Sequence, residues 1–370
     1  MAQGTVSVAA LNTGSGATKE VERSVLFIGV GTKNLKQVVA INAQSDFDAL
    51  ISDGDSALKT QLKSWQRNGD DLVSGWAIPM TQGDDILALV NKAMDLDVSP
   101  EIVVICSPVT GKADVESYQA KALELLASHA RRVRFLVAVP GCDPTPSTGQ
   151  TWAEHLAAIT PLQDGVLADR VALIPLMYGD ELGAVTGRLC KRSVTIADSP
   201  MRTQTGAMSL IGTPVDKNSE PLTNAALAAL DNIRFSCPQF YPDFDGIFFG
   251  DVNMLDAEGG DYQKIEAGRV VDKAARRVRI IAIWQIKNRR LNNSSTGIAF
   301  GKRVLGKPLR DMSKSTNIGP DKFPGEIYTP TDDSIGLTFV SSTQLNVLLK
   351  VQPVDSPNTI LVGIMLDSKE

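Results

Sequence analysis

The sequence predicts an α/β protein, α+β overall, with an α/β core and strands at its two ends. Buried-type strands alternate with helices through the middle of the chain, an order typical of a layer built on a largely parallel sheet. The chain has 370 residues, enough for two or three domains. Hydrophobic residues make up 43% and charged residues 21%, the ordinary balance of a soluble globular protein.

The chain opens with a strand pattern followed by a flexible segment. Residues 5–11 alternate imperfectly, and residues 12–18 (NTGSGAT) are rich in turn formers. A strand tethered in this way gains little stability from contacts with its own chain. It is therefore available to pair with a sheet elsewhere. Residues 24–30 form a continuous apolar run that predicts a buried strand, and residues 36–41 indicate a second strand.

Two helices are predicted next. Residues 45–51 read as a short helix with Ser45 as its N-cap. Residues 56–67 place Leu58, Leu62 and Trp65 at helical spacing. Asn68-Gly69 ends this helix, and we expect the glycine to supply a left-handed cap.

The middle of the chain alternates strands and helices. The predicted strands are residues 102–106, 133–139, 170–178 and 246–250. The predicted helices are residues 84–96, 114–130, 151–160, 183–192 and 222–233. Prolines fall at strand ends and in loops, as expected of residues that cannot continue a ladder.

The last third changes character. A long helix is predicted at residues 262–283, and a second helical stretch at residues 296–313. Two strands close the chain, at residues 344–351 and 359–366. The basic face of the long helix consists of Arg269, Lys273, Arg276 and Arg277. The alternating apolar residues of the closing strands include Leu345, Val347, Leu349, Ile360, Val362 and Ile364.

Charge is unevenly distributed along the chain. Residues 262–314 hold 14 Lys and Arg against 3 Asp and Glu, a net charge of +11. The whole chain carries −5, so the remainder carries −16. The basic region indicates either a nucleic acid or an acidic protein surface as a partner. Few aromatic residues interleave the basic ones, and no named nucleic-acid motif occurs, so the protein partner fits at least as well.

The sequence predicts no catalytic, cofactor or metal residues. The two histidines lack the motif partners of a catalytic triad, and the four cysteines are widely spaced without a CxxC pair. We therefore interpret Cys106, Cys142, Cys190 and Cys237 as buried thiols. Asp243, Asp245, Asp251 and Asp256 lie close in sequence but fit no calcium loop, and we interpret them as loop acids.

One glycine pair indicates an alternative function, a nucleotide-binding α/β enzyme. Gly29-Val30-Gly31 follows a strand and forms half of a dinucleotide fingerprint. The third glycine is missing, and no clear helix begins after it to receive a phosphate. A turn at the end of a strand is the better interpretation.

Several segments, in order along the chain, resemble contractile tail sheath proteins of phages and related injection particles. The opening strand and linker look like the sheath N-terminal arm. The other segments are residues 47–51 (FDALI), 56–58 (SAL), 65–69 (WQRNG), 170–176 (RVALIPL), 183–189 (GAVTGRL), 248–251 (FFGD) and 262–273 (YQKIEAGRVVDK). The usual PGVY near the start is absent, and Asp251-Val252 replaces the usual Arg-Thr. The chain therefore resembles a divergent branch.

The resemblance implies a structural role without catalysis or cofactors. Sheath subunits stack as hexameric rings around an inner tube, and terminal strands exchanged between neighbours add to each subunit's sheet. Contraction then drives the tube through the host envelope, in a helical assembly for genome ejection. The linking residues would be Val6, Val8, Leu11, Leu345, Val347, Leu349, Ile360, Val362 and Ile364. The contacts to the inner tube would be Arg269, Lys273, Arg276 and Arg277.

The resemblance also implies partners, location and domains. The partners would be other copies of the chain, the inner tail tube protein, and baseplate and tail terminator proteins, without a small-molecule substrate or membrane insertion. The location would be the virion tail, after assembly in the host bacterial cytoplasm. The domains would be an arm and linker at residues 1–20, an α/β region at 21–240 with an outward-facing domain, and a C-terminal core domain at 241–370.

Overall fold

The computed structural model describes residues 20–361. Its strands are β1 Val25–Val30, β2 Val39–Asn42, β3 Ser74–Met80, β4 Ile102–Ile105, β5 Arg134–Val139, β6 Ala168–Pro175, β7 Pro238–Tyr241, β8 Phe244–Phe249, β9 Met254–Leu255, β10 Thr316–Ile318, β11 Asp321–Phe323, β12 Ile335–Phe339 and β13 Leu345–Leu349. A seven-stranded sheet in the order β2-β3-β1-β4-β5-β6-β9 forms the centre. Its five inner strands run parallel, and β2 and β9 are antiparallel edges.

Helices cover both faces of this sheet. They are α1 Phe47–Leu50, α2 Ala57–Asn68, α3 Ile86–Asp95, α4 Lys112–His129, α5 Trp152–Ile159, α6 Glu181–Cys190, α7 Asn224–Asn232, α8 Ile265–Trp284, α9 Ser295–Leu305 and α10 Lys307–Met312. Side chains alternate along each strand, so Leu26 and Ile28 join the core beneath α3 and α4, whereas Val25 and Phe27 join the core beneath α2 and α6. The predicted α/β class is confirmed.

The helix pair α2 and α6 packs unusually closely. A Cβ atom added at Gly183 would lie 2.0 Å from the Gln61 carbonyl oxygen, and one at Gly187 would lie 2.7 Å from the Trp65 carbonyl oxygen. Glycines four residues apart on α6 therefore let the two backbones touch. Gln61 reinforces this contact by accepting the Gly183 N–H at 2.7 Å.

Three predicted details differ in the structure. Asp46, not Ser45, caps α1, because its carboxylate accepts the N–H groups of Asp48 and Ala49. Gly69 caps α2 with φ −79°, so it is not left-handed. Residues 246–250 do not join a parallel sheet, because β8 pairs antiparallel with β7 in a separate hairpin.

A smaller part follows α8. The helices α8 and α10 and the hairpin β12–β13 enclose a third apolar core that includes Val270, Leu309 and Ile335. The predicted helical stretch at 296–313 is two helices, α9 and α10, separated at Gly306. The predicted strand at 344–351 is confirmed as β13, with alternating half-buried and exposed residues.

The predicted arms fall largely beyond the described part of the chain. Val6, Val8, Leu11, Val362 and Ile364 lie outside residues 20–361. Residues 359–361 form no strand within this single chain, and the Ile360 side chain is exposed. Within residues 20–361, no helix combines the length and apolarity that crossing a membrane requires.

Candidate assembly surfaces

Helix α8 is fixed to the parallel sheet by a buried carboxylate. Asp272 contacts Arg134 Nη2 at 2.8 Å, Arg170 Nη1 at 3.1 Å and Arg132 Nη1 at 3.3 Å. Burial alone would raise the pKa of Asp272, but Arg134 and Arg170 outweigh it and hold this pKa below its usual range. Gly268 leaves room for Arg134, since an added Cβ would lie 2.0 Å from Arg134 Nη2.

The basic face of α8 contacts the first described residues of the chain. Arg269 is 2% exposed and donates through Nε and Nη2 to Glu101 at 2.6 and 2.9 Å. Glu101 also accepts the Arg23 backbone N–H at 2.6 Å. Arg276 pairs with the buried Glu22. Burial opposes ionisation of Glu22, yet Arg276 outweighs it and the pKa of Glu22 lies below its usual value.

The same helix contacts the last described residues. Lys273 Nζ lies 2.5 Å from Glu326, whose backbone carbonyl accepts the Val354 N–H at 3.2 Å. Lys264, the N-cap of α8, lies 2.6 Å from Asp251. The carboxylate of Asp251 also accepts a hydrogen bond from Asn358 Nδ2 at 2.6 Å.

The four basic residues predicted to contact an inner tube therefore differ in burial and in their partners. Arg269 is buried, and Arg269, Lys273 and Arg276 each pair with an acid of their own chain. Arg277 is half-buried and lines a groove of about 350 Å³ that also contains Lys307 and Asp311. Sequence reasoning missed the acidic partners, because these pairs join residues 53 to 254 positions apart.

Exposed basic and apolar side chains meet at the C-terminal end of α8. Trp284 is 63% exposed and Ile286 is 70% exposed. Lys287, Arg289 and Arg290 follow and are also exposed. We call residues 283–290 the α8 tip. Large exposed apolar groups beside cations are typical of a protein-binding surface rather than of a merely solvated one.

The hairpin β12–β13 has two open edges. Hydrogen bonds from Val340 N–H to the Gln344 carbonyl and from Lys350 N–H to the Ser334 carbonyl set its register. The backbone groups of residues 335, 337 and 339, and of residues 345, 347 and 349, therefore point away from the hairpin. No third strand pairs with either edge within residues 20–361. One face packs on the third core, through Leu337, Val347 and Leu349.

The glycine turn after β1 is not built to receive a nucleotide. The N–H groups of Gly31, Thr32 and Lys33 already donate to the carbonyls of Met80 and Ile51, at 2.9–3.0 Å. A Cβ at Gly29 would lie 2.8 Å from the Cβ of Cys106, so this glycine serves close packing.

Of the predicted loop acids, Asp251 contributes to the fold, and of the four thiols predicted to be buried, Cys142 is not. Asp251 lies in the contacts with Lys264 and Asn358, and within residues 20–361 no group of three His, Cys, Asp or Glu is arranged to hold a metal ion. Cys106, Cys190 and Cys237 are buried, whereas Cys142 is partly exposed. Burial raises the pKa of Cys190 to about 12 and that of Cys142 to about 11.

Solved structures place this fold in a class. The chain superposes with a TM-score of 0.64 on a chain of the cryo-EM structure of the anti-feeding prophage baseplate, at 13% identity over 98% of this chain and 100% of that one. It superposes with a TM-score of 0.60 on a chain of the contracted helical sheath of the same particle, at 13% identity over 97% of this chain and 100% of that one. The fold is that of the contractile sheath class.

The chain belongs to the DUF2586 family. Residues 3–253 match the N-terminal domain of that family and residues 261–369 match its C-terminal domain. The chain is 42% identical over 366 residues to the "Putative tail sheath protein" of Haemophilus phage HP1, covering 98% of this chain and 97% of that protein. The predicted resemblance to contractile tail sheath proteins is confirmed. The nucleotide-binding and nucleic-acid-binding alternatives find no support in these relatives.

Proposed function

We propose that this chain is the structural, non-catalytic subunit of a contractile tail sheath. Copies assemble in the host cytoplasm as stacked hexameric rings around an inner tube and form part of the virion tail. Contraction of this sheath drives the tube through the host envelope. Full-length similarity to the phage HP1 protein supports this role. The observation that carries it within the structure is the hairpin β12–β13 with two unprotected edges.

Open edges of this kind call for partner strands. A hairpin of two strands is marginally stable alone, and proteins usually shield exposed edges with charges, prolines or bulges. Neither β12 (IGLTF) nor β13 (LNVLL) carries a charged residue or a proline. Backbone groups at positions 335, 337, 339, 345, 347 and 349 are therefore available for β-augmentation.

The terminal arms of neighbouring subunits are the proposed occupants. The predicted N-terminal strand contributes Val6, Val8 and Leu11, and the C-terminal strand contributes Ile360, Val362 and Ile364. The seven-residue linker at 12–18 spans at most about 24 Å when extended, which lets a link between subunits survive a rotation. Backbone pairing supplies affinity, while the apolar face of each arm covers the third core.

Contact with the inner tube is proposed for the α8 tip together with Arg277. The tip combines Lys287, Arg289 and Arg290 with exposed Trp284 and Ile286. Exposed ion pairs contribute only about 0–1 kcal/mol each. Such a contact is specific but can break when the tube slides through the sheath.

Baseplate and tail terminator proteins remain proposed partners at the two ends of the sheath. The proposed domain limits remain 1–20, 21–240 and 241–370.

Electron microscopy of the purified protein tests the sheath role. We expect tubes or stacked rings in negative stain. Deleting residues 1–18 removes the N-terminal arm, so it should abolish the polymer while the circular dichroism spectrum and melting temperature stay unchanged. A matched control replaces residues 12–18 by a Gly/Ser sequence of equal length and should still polymerise. Monodisperse monomers of the intact chain at every salt concentration would refute the sheath role.

A further inference from the structure

We propose that the basic face of α8 is the internal anchor of both terminal arms, so that a pull on either arm is delivered into this one helix. The inference rests on the sheath function proposed above, because it concerns how the arms carry load in an assembly. It assigns Glu22, Glu101, Asp251 and Glu326 as positioning residues for the arms. Glu101, Asp251 and Glu326 each lie between a basic residue of α8 or its N-cap and the root of an arm, whereas Glu22 belongs to the N-terminal root and pairs with Arg276 directly.

The root of the N-terminal arm is residues 20–24. Glu101 joins it to α8, since one carboxylate accepts from Arg269 and from the backbone N–H of Arg23. The Arg23 guanidinium donates to the carbonyls of Lys191 at 3.0 Å and Val194 at 2.7 Å. The Ser24 carbonyl also accepts the Glu101 N–H at 2.8 Å. A force that enters at residue 20 therefore meets partly buried polar contacts before it reaches β1.

The root of the C-terminal arm is residues 352–358. Its backbone follows the strand-like segment at 326–328, with Tyr328 N–H donating to the Gln352 carbonyl at 2.9 Å. Glu326 joins this root to Lys273 of α8. Asn358, three residues before the end of the described chain, is held by Asp251, which pairs with Lys264. The arm thus leaves the body at a fixed point.

Both roots therefore converge on one helix. The basic residues that hold them, Lys264 to Arg276, span twelve positions, or about 18 Å of helix. Asp272 fixes the same helix to Arg134 and Arg170, which lie near the N-terminal ends of the inner strands β5 and β6. The excess of positive charge in residues 262–314 therefore has a proposed role within the subunit. Four of its cations, Lys264, Arg269, Lys273 and Arg276, hold the two arms against the body.

Contraction of assembled sheaths tests the anchor. Glu101→Gln removes the charge of the acid that holds the N-terminal root, and Asp251→Asn removes the charge of the acid that holds the C-terminal root. Both substitutions keep the size of the side chain, and we call them the root variants. Asp180→Asn is the matched control, because Asp180 is also buried and ion-paired, with Arg67 Nη2 at 2.5 Å, but touches neither α8 nor a root. Sheaths would be triggered to contract with urea and their lengths measured by electron microscopy. We expect the mean length of contracted sheaths to be at least threefold shorter for the root variants than for the wild type, because their sheaths break. The control variant should give sheaths of wild-type length.

A second measurement on the unassembled protein covers variants that fail to polymerise. Hydrogen exchange should show the amide of Arg23 exchanging at least tenfold faster in Glu101→Gln and unchanged in Asp180→Asn. Equal sheath lengths in root variants and wild type, or equal fragmentation of the control, would overturn the anchor. Unchanged exchange at Arg23 would overturn it as well. Absence of tubes from the wild-type chain would instead refute the sheath function itself.

Discussion

At the scale of single residues, the buried acids of this chain differ in whether an arginine faces them. Asp272 is surrounded by arginines, and its pKa lies below the usual range. Glu181, at the start of α6, is fully buried, and burial raises its pKa to about 8. One of its oxygens accepts the Tyr178 N–H, while Oε2 has no hydrogen-bond partner. Glu181 is therefore held as a neutral acid at neutral pH.

Replacement of Glu181 by Gln should make the protein less sensitive to alkali. The pKa of Glu181 is about 8 when folded and 4.5 without the fold. Its burial therefore carries no ionisation penalty below pH 4.5, and the free energy of unfolding falls as pH rises from 4.5 to 8. The loss reaches up to about 5 kcal/mol at the alkaline limit. Melting temperatures between pH 5 and 9 should fall less steeply for Glu181→Gln, and equal slopes would contradict this assignment.

Contacts between neighbours in sequence leave a local signal, although the predicted cap of α1 was wrong by one residue, since Asp46 and not Ser45 caps it. Ser56 caps α2 by accepting the N–H of Lys59, which lies only three positions further along the chain. Contacts such as Arg269–Glu101 join residues 168 positions apart, and no local pattern encodes them. The excess of positive charge in residues 262–314 was the available signal. It indicated a partner but did not indicate that the partner is the same chain.

At the scale of elements, periodic helices were predicted within a few residues and interrupted strands were missed. α2, α3 and α4 begin and end within two residues of their predicted bounds. β3 was missed because Gly75 and Pro79 resemble strand breakers in isolation. In the structure the backbone of Pro79 faces away from β1, since its carbonyl accepts the Lys36 N–H, and β2 pairs only with residues 74–77, so no ladder hydrogen bond is lost. Tertiary context therefore overrides the local preference of these two residues.

Close approach of α2 and α6 gives a prediction at the same scale. Gly187→Ala places a methyl group 2.7 Å from the Trp65 carbonyl oxygen and 2.9 Å from the Gly69 nitrogen, both rigid backbone atoms. We expect the free energy of unfolding to fall by about 1–3 kcal/mol, measured by urea denaturation. The matched control is Gly54→Ala, where an added Cβ meets nothing within 4 Å. A Gly187→Ala variant as stable as this control would contradict the close packing.

At the scale of the whole molecule, an α/β body and a small C-terminal part are joined by α8. The body contributes the doubly covered sheet, and the C-terminal part contributes the open hairpin and the α8 tip. The alternation of strands and helices predicted the body. The open edges could not be predicted, because β12 was not recognised and an unpaired edge is a property of the assembled sheet rather than of one strand.

Charge reversal at the α8 tip tests the proposed tube contact. Changing Lys287, Arg289 and Arg290 to Glu should abolish co-sedimentation of the sheath with inner tube protein, because an acidic partner would then be repelled. Tubes of sheath alone should still form. The control carries the same change of net charge at Lys63, Lys92 and Lys112, on the surface of the α/β body. Loss of co-sedimentation in both variants would show a general charge effect instead.

The most direct measurement of the central claim is a helical reconstruction of the assembled polymer by cryo-electron microscopy. We expect two additional strands on each β12–β13 hairpin, one beside residues 335–339 and one beside residues 345–349. Both strands should trace to the terminal arms of other subunits. A polymer in which these two edges face solvent, or in which each arm folds back on its own subunit, would contradict the claim.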